Sequence, residues 1–290
     1  MARSILQPLM KLGISAATFV VCYILALTVS VGTMEVGGTS LIMMAMLLSF
    51  AIHWVLFIPS YIFQTEKFYD LTGSLTYITV LSFVVFGMKT AVHDMMGLRS
   101  TLIYFCIMIW TVRLGGFLFW RVLKDGHDKR FKAILPSFST LFMTWTLSAA
   151  WVFIQSLSAL VALTALNQVE FGVVGWIGLG LWVFGFGFQV VADYQKTKFK
   201  SDPSNEGEFI TGGLWDLSRH PNYFGELLIY LSFLLLVVES SQWWIPTAVL
   251  LLFIIAVWIP NMIKIEKSLS RFDDHHEYKR KTPFFIPYLF

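Results

Sequence analysis

The stretch ADYQKTKFKSDPSNEGEFITGGLWDLSRHPNYFGE, residues 192–226, is the longest polar segment of the chain and stands between two strongly apolar segments. Of the 290 residues, 57% are hydrophobic and 13% are charged, whereas a soluble globular domain has about 25% charged residues. The apolar segments are continuous and do not alternate with a period of two, which disfavours a membrane β-barrel. We therefore predict an all-α fold, a polytopic bundle of membrane helices in which the polar stretch carries the chemistry.

Eight segments approach the length of about 20 apolar residues that a helix needs to cross the bilayer core. They lie at residues 12–31, 40–63, 73–92, 100–123, 138–165, 172–192, 222–239 and 244–264. The third has polar ends, so seven spans are the alternative to eight. With eight spans, almost all lysines and arginines fall on the side of the two termini, and only Lys89 and Arg99 fall on the other. Because positively charged loops stay in the cytoplasm, we expect both termini there.

The chain shows no internal repeat and no linker, so we expect a single integral membrane domain over residues 1–290. Cys22 and Cys106 lie in apolar runs and are expected to pack there, not to form a disulfide. The adjacent His275 and His276 do not predict a metal site, because the side chains of neighbouring residues point apart. The formal net charge of +3 reflects the cytoplasmic loops and predicts no nucleic acid partner. Nothing in the sequence indicates an obligate protein partner.

A stripe of polar residues marks the point where the sixth predicted helix leaves the membrane. Its members recur at spacings of three and four residues, which places them on one helical face: Gln189, Asp193, Lys196 and Lys200. Such a stripe can line a ligand cleft. Single polar residues within other spans, such as His53 and Gln155, are explained by packing and by hydrogen bonds between helices.

A second polar stripe opens the seventh predicted helix. Ser218 followed by Pro221 is typical of a helix start, and Asn222, Glu226 and Tyr230 share one helical face. The free backbone N–H groups of a helix start attract anions, and the lysines and arginines nearby add to this attraction. The segment therefore suits phosphate groups. It matches neither the G-x-G-x-x-G nor the Walker motif, so no Rossmann or P-loop fold is expected.

Several of these motifs resemble the C-terminal reductase domain of the steroid 5-alpha-reductase and sterol reductase superfamily, above all its bacterial branch. They are ADYQK at 192–196, GLW at 213–215, SRHPNYFGE at 218–226, and a tail with Glu266, Phe272, Tyr278 and TPFFIP at 282–287. The segments FYDLTGS at 68–74 and RLGGFLFWRVLKDGHDKRF at 113–131 are similar to that branch as well. The resemblance covers most of the chain from about residue 63 onward.

The resemblance implies a multi-pass enzyme of the bacterial inner membrane that uses NADPH to reduce a carbon–carbon double bond in a lipid taken from the bilayer. Residues 1–135 would then supply the substrate side and residues 136–290 the cofactor-binding part. The motifs carry over a set of cofactor-binding residues: Asp193, Lys196, Lys198, Arg219, His220, Asn222, Tyr223, Glu226, His275 (or His276) and Tyr278. The acid that polarises the substrate comes from the N-terminal half of the steroid reductases, where Glu66, Tyr69 and Asp70 are the nearest catalytic candidates.

Two other functions stay open. Isoprenylcysteine and phospholipid methyltransferases, which use S-adenosylmethionine, share a similar helix start and a similar tail. A non-catalytic lipid-binding membrane protein or a transporter would also carry polar stripes, but here the charges concentrate at one face of the membrane, which does not suit a path across it. NADPH is preferred to NADH on the resemblance alone.

Overall fold

The structure, a computed structural model, describes residues 2–92, 97–167, 170–237 and 244–289. Within these ranges the regular secondary structure is helical apart from a two-stranded hairpin, β1 (Glu35–Val36) and β2 (Thr39–Ser40), and loops join the elements. A π-helical turn lies at Ile254–Trp258. The α-helices are α1 (Ala2–Val29), α2 (Leu41–Ile62), α3 (Tyr69–Val92), α4 (Leu98–Asp125), α5 (Phe138–Thr164), α6 (Val173–Ser201), α7 (Leu214–Leu217), α8 (Pro221–Val237), α9 (Trp244–Phe253), α10 (Ile259–Leu269) and α11 (His275–Lys281).

Among the described residues, 7 helical segments are long and apolar enough to cross a membrane. The prediction of an all-α, multi-pass integral membrane protein is thereby confirmed. Six of the segments lie in α1 to α6, and the last runs through α9, the π turn and α10, from Trp244 to Leu269. The predicted seventh span is α8, which is apolar but has 17 residues, fewer than the about 20 that cross a bilayer core. The location of the termini and the identity of the membrane stay predictions.

Helix α6 continues beyond its predicted membrane span. Hydropathy ends the span near residue 192, and the helix runs on to Ser201, as the polar stripe through Lys200 predicts. The segment after Ala192 contains neither Gly nor Pro, so nothing in it breaks the helix before Asp202, whose successor Pro203 disfavours helical backbone at the preceding residue. The polar stripe of α6 is therefore helical throughout.

The described residues form two compact units. The first contains α1 to α5 and the hairpin, and the second contains α6 to α8, most of α9, α10 and α11. Whether the chain behaves as a single integral domain stays a prediction.

The first unit is held together by aromatic packing and by hydrogen bonds between helices. Phe57, Phe131, Leu141 and Trp145 form a buried cluster. His53 is fully buried, with Nδ1 at 2.9 Å from the Ser49 carbonyl oxygen and Nε2 at 3.1 Å from the Ser148 hydroxyl. A carbonyl oxygen only accepts, so Nδ1 carries the proton and Nε2 accepts from the serine. Both ring nitrogens are thus satisfied, one within α2 and the other by α5, which fits a packing role for His53.

The second unit is organised by a close crossing of α6 and α8. A Cβ atom placed at Gly225 of α8 would lie 2.7 Å from the Gly185 carbonyl oxygen and 2.6 Å from the Gln189 backbone nitrogen, both on α6. Only glycine leaves room for backbones this close, as is common where membrane helices pack. The crossing fixes the first turns of α8 against the middle of α6.

Candidate functional site

The second unit contains a cleft of about 290 Å³. The end of α6, the loop at 208–210, α7, the start of α8, α10 and the tail contribute to its walls, so segments far apart in sequence converge on it. The lining residues are Lys196, Phe199, Lys200, Glu208, Phe209, Ile210, Trp215, Arg219, His220, Asn222, Tyr223, Ile265, Ser268, Leu269, Arg271, Phe272 and Tyr278.

The start of α8 is fixed by hydrogen bonds to the tail. The hydroxyl of Ser218 accepts a hydrogen bond from the His220 backbone N–H at 3.1 Å and donates to the Phe285 carbonyl at 2.6 Å. The Arg219 backbone N–H donates to the Pro283 carbonyl at 3.0 Å. Pro221 opens the helix, where a missing N–H costs nothing, and the predicted helix start is confirmed. The SRHP segment is therefore held rigidly at the wall of the cleft.

A buried group of ionisable side chains lies behind this wall. Arg219 and Glu266 are 7% and 8% exposed, and Nη1 of the arginine donates to Oε2 of the carboxylate. The Nε2 atoms of His220 and His275 lie 3.4 and 3.5 Å from the two carboxylate oxygens, within ion-pair distance but outside hydrogen-bond geometry. A buried charge is stable only when it is paired. Glu266 is thus the centre of the group.

Burial controls the protonation of His220. Desolvation lowers the pKa of this imidazole below its ordinary value, and the neighbouring Glu266 carboxylate opposes that change without cancelling it. His220 is therefore neutral at pH 7. Of the two neighbouring residues Arg219 and His220, the arginine carries the positive charge.

Aromatic side chains form the other wall. The Phe209 ring lies 5.2 Å from the Phe272 ring and 5.4 Å from the Tyr278 ring. The hydroxyl of Tyr278 donates to the Trp215 carbonyl, and burial raises the pKa of this phenol. The Lys196 ammonium lies 4.6 Å from the centre of the Trp215 ring. This wall can hold a flat apolar group next to a cation.

The loop before α7 needs a glycine at one position. Gly213 has φ of +70°, in the left-handed region, and a Cβ atom there would lie 2.5 Å from the Gln195 side chain. That side chain accepts a hydrogen bond from the Leu214 backbone N–H at 3.0 Å. The GLW motif is thus explained by a turn that ties α7 to α6.

The structure separates the predicted cofactor-binding residues into two sets. Those that line the cleft are Lys196, Arg219, His220, Asn222, Tyr223 and Tyr278. Asp193, Lys198, Glu226 and His275 are not part of the lining. Asp193 is buried in α6, Lys198 is exposed on the same helix, and His275 lies against Glu266. Contact of any of these residues with a cofactor stays a prediction.

Glu226 has a different neighbour. Its Oε1 accepts a hydrogen bond from the Tyr230 hydroxyl at 2.8 Å, one helical turn further along α8. This pair was expected only as part of a polar stripe.

The three catalytic candidates lie in the first unit. Glu66 is 9% exposed, and its Oε1 accepts a hydrogen bond from the Asp128 backbone N–H at 2.9 Å. The Tyr69 hydroxyl donates to the Thr144 carbonyl at 3.2 Å, and Asp70 lies half-buried in the first turn of α3. Glu66 and Tyr69 therefore hold structural contacts in this unit, and the catalytic role of all three stays a prediction.

Sequence reasoning missed several lining residues and the role of Glu266. Phe199, Glu208, Phe209, Trp215 and Arg271 reach the cleft from four segments that only the fold brings together. Lys200 was in the polar stripe of α6, which pointed toward it. Glu266 was noted as part of the tail motif, but a carboxylate in an amphipathic helix gives no signal of burial.

Comparison with known proteins adds a family and two relatives. The family described as "Protein of unknown function (DUF1295)" matches residues 56–282. An uncharacterised protein of Schizosaccharomyces pombe is 26% identical over 191 residues, which are 56% of this chain and 54% of the relative. A probable O-methyltransferase of Ustilaginoidea virens is 32% identical over 94 residues, 27% of this chain and 33% of the relative. The chain thus spans about half or less of the length of these relatives, and neither has a name that mentions a reductase.

Proposed function

The chain belongs to the DUF1295 family of membrane proteins, and from this premise we propose that it is an NADPH-dependent reductase of a carbon–carbon double bond in a lipid. The observation that carries the proposal is the charge of the cleft. Four cationic side chains line it, Lys196, Lys200, Arg219 and Arg271, together with the carboxylate of Glu208. Glu266 behind the wall balances the charge of Arg219, so the excess of positive charge comes from the other three cations over Glu208. Such an excess of positive charge suits a ligand with several phosphates.

The inner wall fits an anion as well. The Nε atom of Arg219 is buried and has no hydrogen-bond partner among the described residues. An unsatisfied buried donor costs about 1–3 kcal/mol. A phosphate oxygen bound at this wall would supply the missing acceptor, since Glu266 already holds Nη1 in place. Arginine and phosphate make strong charge-assisted hydrogen bonds.

The aromatic wall fits the base of a nucleotide. Stacking of a nucleobase on an aromatic side chain contributes about 1–3 kcal/mol. Phe209 and Phe272 provide such a surface beside the exposed cations Lys200 and Arg271. The residues of the cleft therefore match an adenosine phosphate.

A bound NADPH supplies the hydride for the reduction. The chain contributes binding and orientation through the cleft, and the membrane helices give a lipid substrate access from the bilayer. Glu66, Tyr69 and Asp70 stay our candidates for the group that polarises the substrate.

The comparisons favour a second candidate, an S-adenosylmethionine-dependent methyltransferase, because the relative from Ustilaginoidea virens has the name of a probable O-methyltransferase. The charge of the cleft argues against it. S-adenosylmethionine has a sulfonium cation and no phosphate, so it would not match the excess of positive charge at the cleft. We place it second on this physical ground.

The test measures the binding of NADPH and of S-adenosylmethionine to the purified protein in nanodiscs by calorimetry. We expect NADPH to bind, and Lys196→Ala and Lys200→Ala each to weaken it about tenfold, which corresponds to about 1.4 kcal/mol. Lys267→Ala is the matched control, because Lys267 is exposed on α10 and does not line the cleft.

Three other results are informative. Binding of S-adenosylmethionine alone would replace the reductase by the methyltransferase. Binding of neither compound would favour a non-catalytic lipid-binding protein. An equal loss of affinity in the control variant would show that the cleft is not the binding site.

A further inference from the structure

Glu226 is a carboxylate in an apolar helix. It lies five residues after Pro221, the first residue of α8, within the apolar stretch Pro221–Leu236. It is half-buried and does not line the cleft. An ionisable side chain in such a segment is costly and is usually present for a function.

The position of Glu226 is fixed by Tyr230. The tyrosine is 5% exposed, and its hydroxyl donates to Oε1 of Glu226 at 2.8 Å. The Trp258 ring packs against the Tyr230 ring at 5.5 Å and against the Tyr223 ring at 5.5 Å. Tyr223 lines the cleft, so one tryptophan joins the cleft wall to the Glu226–Tyr230 pair.

The backbone around this contact is irregular. Trp258 ends the π-helical turn Ile254–Trp258, and π-helical turns occur often at functional sites. Three residues later, the Asn261 side chain donates to the Tyr223 hydroxyl at 2.9 Å. The tyrosine at the cleft wall is therefore held from both sides.

The pair lies deeper along α8 than the cleft. Asn222 lines the cleft, and Glu226 and Tyr230 follow it on the same face. A rise of 1.5 Å per residue places Glu226 about 6 Å and Tyr230 about 12 Å beyond Asn222 along the helix axis. Beside them, Gly225 touches the α6 backbone, so no large side chain separates the two helices there.

We propose that Glu226 exchanges a proton with the reacting end of a bilayer-dissolved substrate, and that Tyr230 is the positioning residue that holds it there. The inference rests on the proposed reductase and deepens it. It departs from the prediction that Glu226 contacts the cofactor. It places the proton donor on α8 and leaves Glu66, Tyr69 and Asp70 as the candidates for the group that polarises the substrate.

Reduction of a polarised double bond breaks the π bond and forms two C–H bonds, one with the hydride that the dinucleotide supplies and one with a proton. The carboxyl group of Glu226 gives that proton to the second carbon and is left as a carboxylate. The Tyr230 hydroxyl, which already donates to Oε1, stabilises the new negative charge. A proton from solvent then restores the carboxyl group, so the overall reaction consumes one proton.

The test compares Glu226→Gln, Tyr230→Phe and the double variant with Tyr194→Phe. The last is the matched control, because Tyr194 is 63% exposed on α6 and does not line the cleft. Infrared difference spectra are recorded when cholest-4-en-3-one, a lipid enone, is added to the protein in nanodiscs. This measurement needs no cofactor. NADPH affinity and the single-turnover rate with the same enone are measured in parallel.

We expect the enone to shift a carboxyl band that is absent in Glu226→Gln, displaced in Tyr230→Phe and unchanged in Tyr194→Phe. NADPH affinity should stay within about twofold, and the single-turnover rate of Glu226→Gln should fall about 10²–10⁴-fold, as for the loss of a general acid. The double variant should be no slower than Glu226→Gln, because the tyrosine acts through the carboxyl group.

Two results would overturn the inference while NADPH still binds: a carboxyl band that does not respond to the enone, or a tenfold loss of NADPH affinity in Glu226→Gln, which would make Glu226 a cofactor contact. Failure of the proposed function looks different. The wild-type protein would then not bind NADPH, while the carboxyl band would still respond to the enone.

Discussion

Replacement of Gly225 by alanine tests whether the close crossing of α6 and α8 builds the cleft. The added Cβ atom would lie 2.6 Å from the Gln189 nitrogen, 2.7 Å from the Gly185 oxygen and 3.0 Å from the Gln189 Cα. All three are backbone atoms, so no side chain can rotate away. Relaxing the closest approach to 3.4 Å, the lower limit of ordinary contact, requires the helices to separate by about 0.8 Å.

The cost can be compared with the gain from helix propensity. Overpacking of this kind costs about 1–3 kcal/mol, and alanine favours a helix over glycine by about 1 kcal/mol. We expect a net loss of up to about 2 kcal/mol. Arg219 lies shortly before α8, and Asn222 lies in its first turn. A displacement of α8 by about 1 Å should therefore also weaken cofactor binding.

Thermal unfolding in detergent, with and without NADPH, measures both effects. The matched control is Gly187→Ala on α6, where the added Cβ atom meets nothing within 4 Å. That variant should be as stable as the wild type or slightly more stable. If Gly225→Ala unfolds at the same temperature as Gly187→Ala and binds NADPH equally well, the crossing does not determine the geometry of the cleft.

Two further predictions concern the buried ionisable group. Glu266→Ala should lower the free energy of unfolding by about 3–5 kcal/mol, because it leaves the buried Arg219 charge without a partner; Glu277→Ala, at an exposed ion pair, should change thermal stability little, and equal effects of the two would contradict the burial argument. His220 has a lowered pKa in the folded state, so below pH of about 6.5 the unfolded chain takes up the proton first, and stability should fall with decreasing pH by at most about 1.4 kcal/mol per pH unit. Unfolding midpoints measured between pH 7.5 and 5 should show this loss in the wild type and a smaller one in His220→Gln.

The sequence allows prediction of those features that depend on local pattern. Continuous apolar runs predicted the membrane helices, and Ser218 with Pro221 predicted the start of α8. Both patterns consist of residues that are close together in the sequence. The spacing of Glu226 and Tyr230 likewise placed them on one face, and the structure adds the hydrogen bond between them.

The features that the sequence did not reveal depend on contacts between distant segments. Arg219 and Glu266 are 47 residues apart in the chain, and neither the arginine nor the carboxylate alone indicates burial. The role of Gly225 requires knowledge of which helix packs against α8, since a glycine within a helix is otherwise only a weak helix former. Hydropathy alone would end α6 near residue 192, because it reports where a helix leaves the membrane; the periodic polar stripe carried the prediction on to Lys200, and the helix ends at Ser201.

If the cleft binds NADPH and Glu226 donates the proton, α8 connects two chemical environments. Its start lies at the cationic cleft beside Arg219, where a soluble cofactor would place its phosphates. About 6 Å further along the helix axis, Glu226 lies in the apolar part of the same helix, where a bilayer-dissolved substrate would place its reacting end. The glycine crossing with α6 fixes α8 between these two points, so a single rigid helix would set the distance between cofactor and proton donor. A change at Gly225 should then affect cofactor affinity and single-turnover rate together, whereas Glu226→Gln should affect the rate alone.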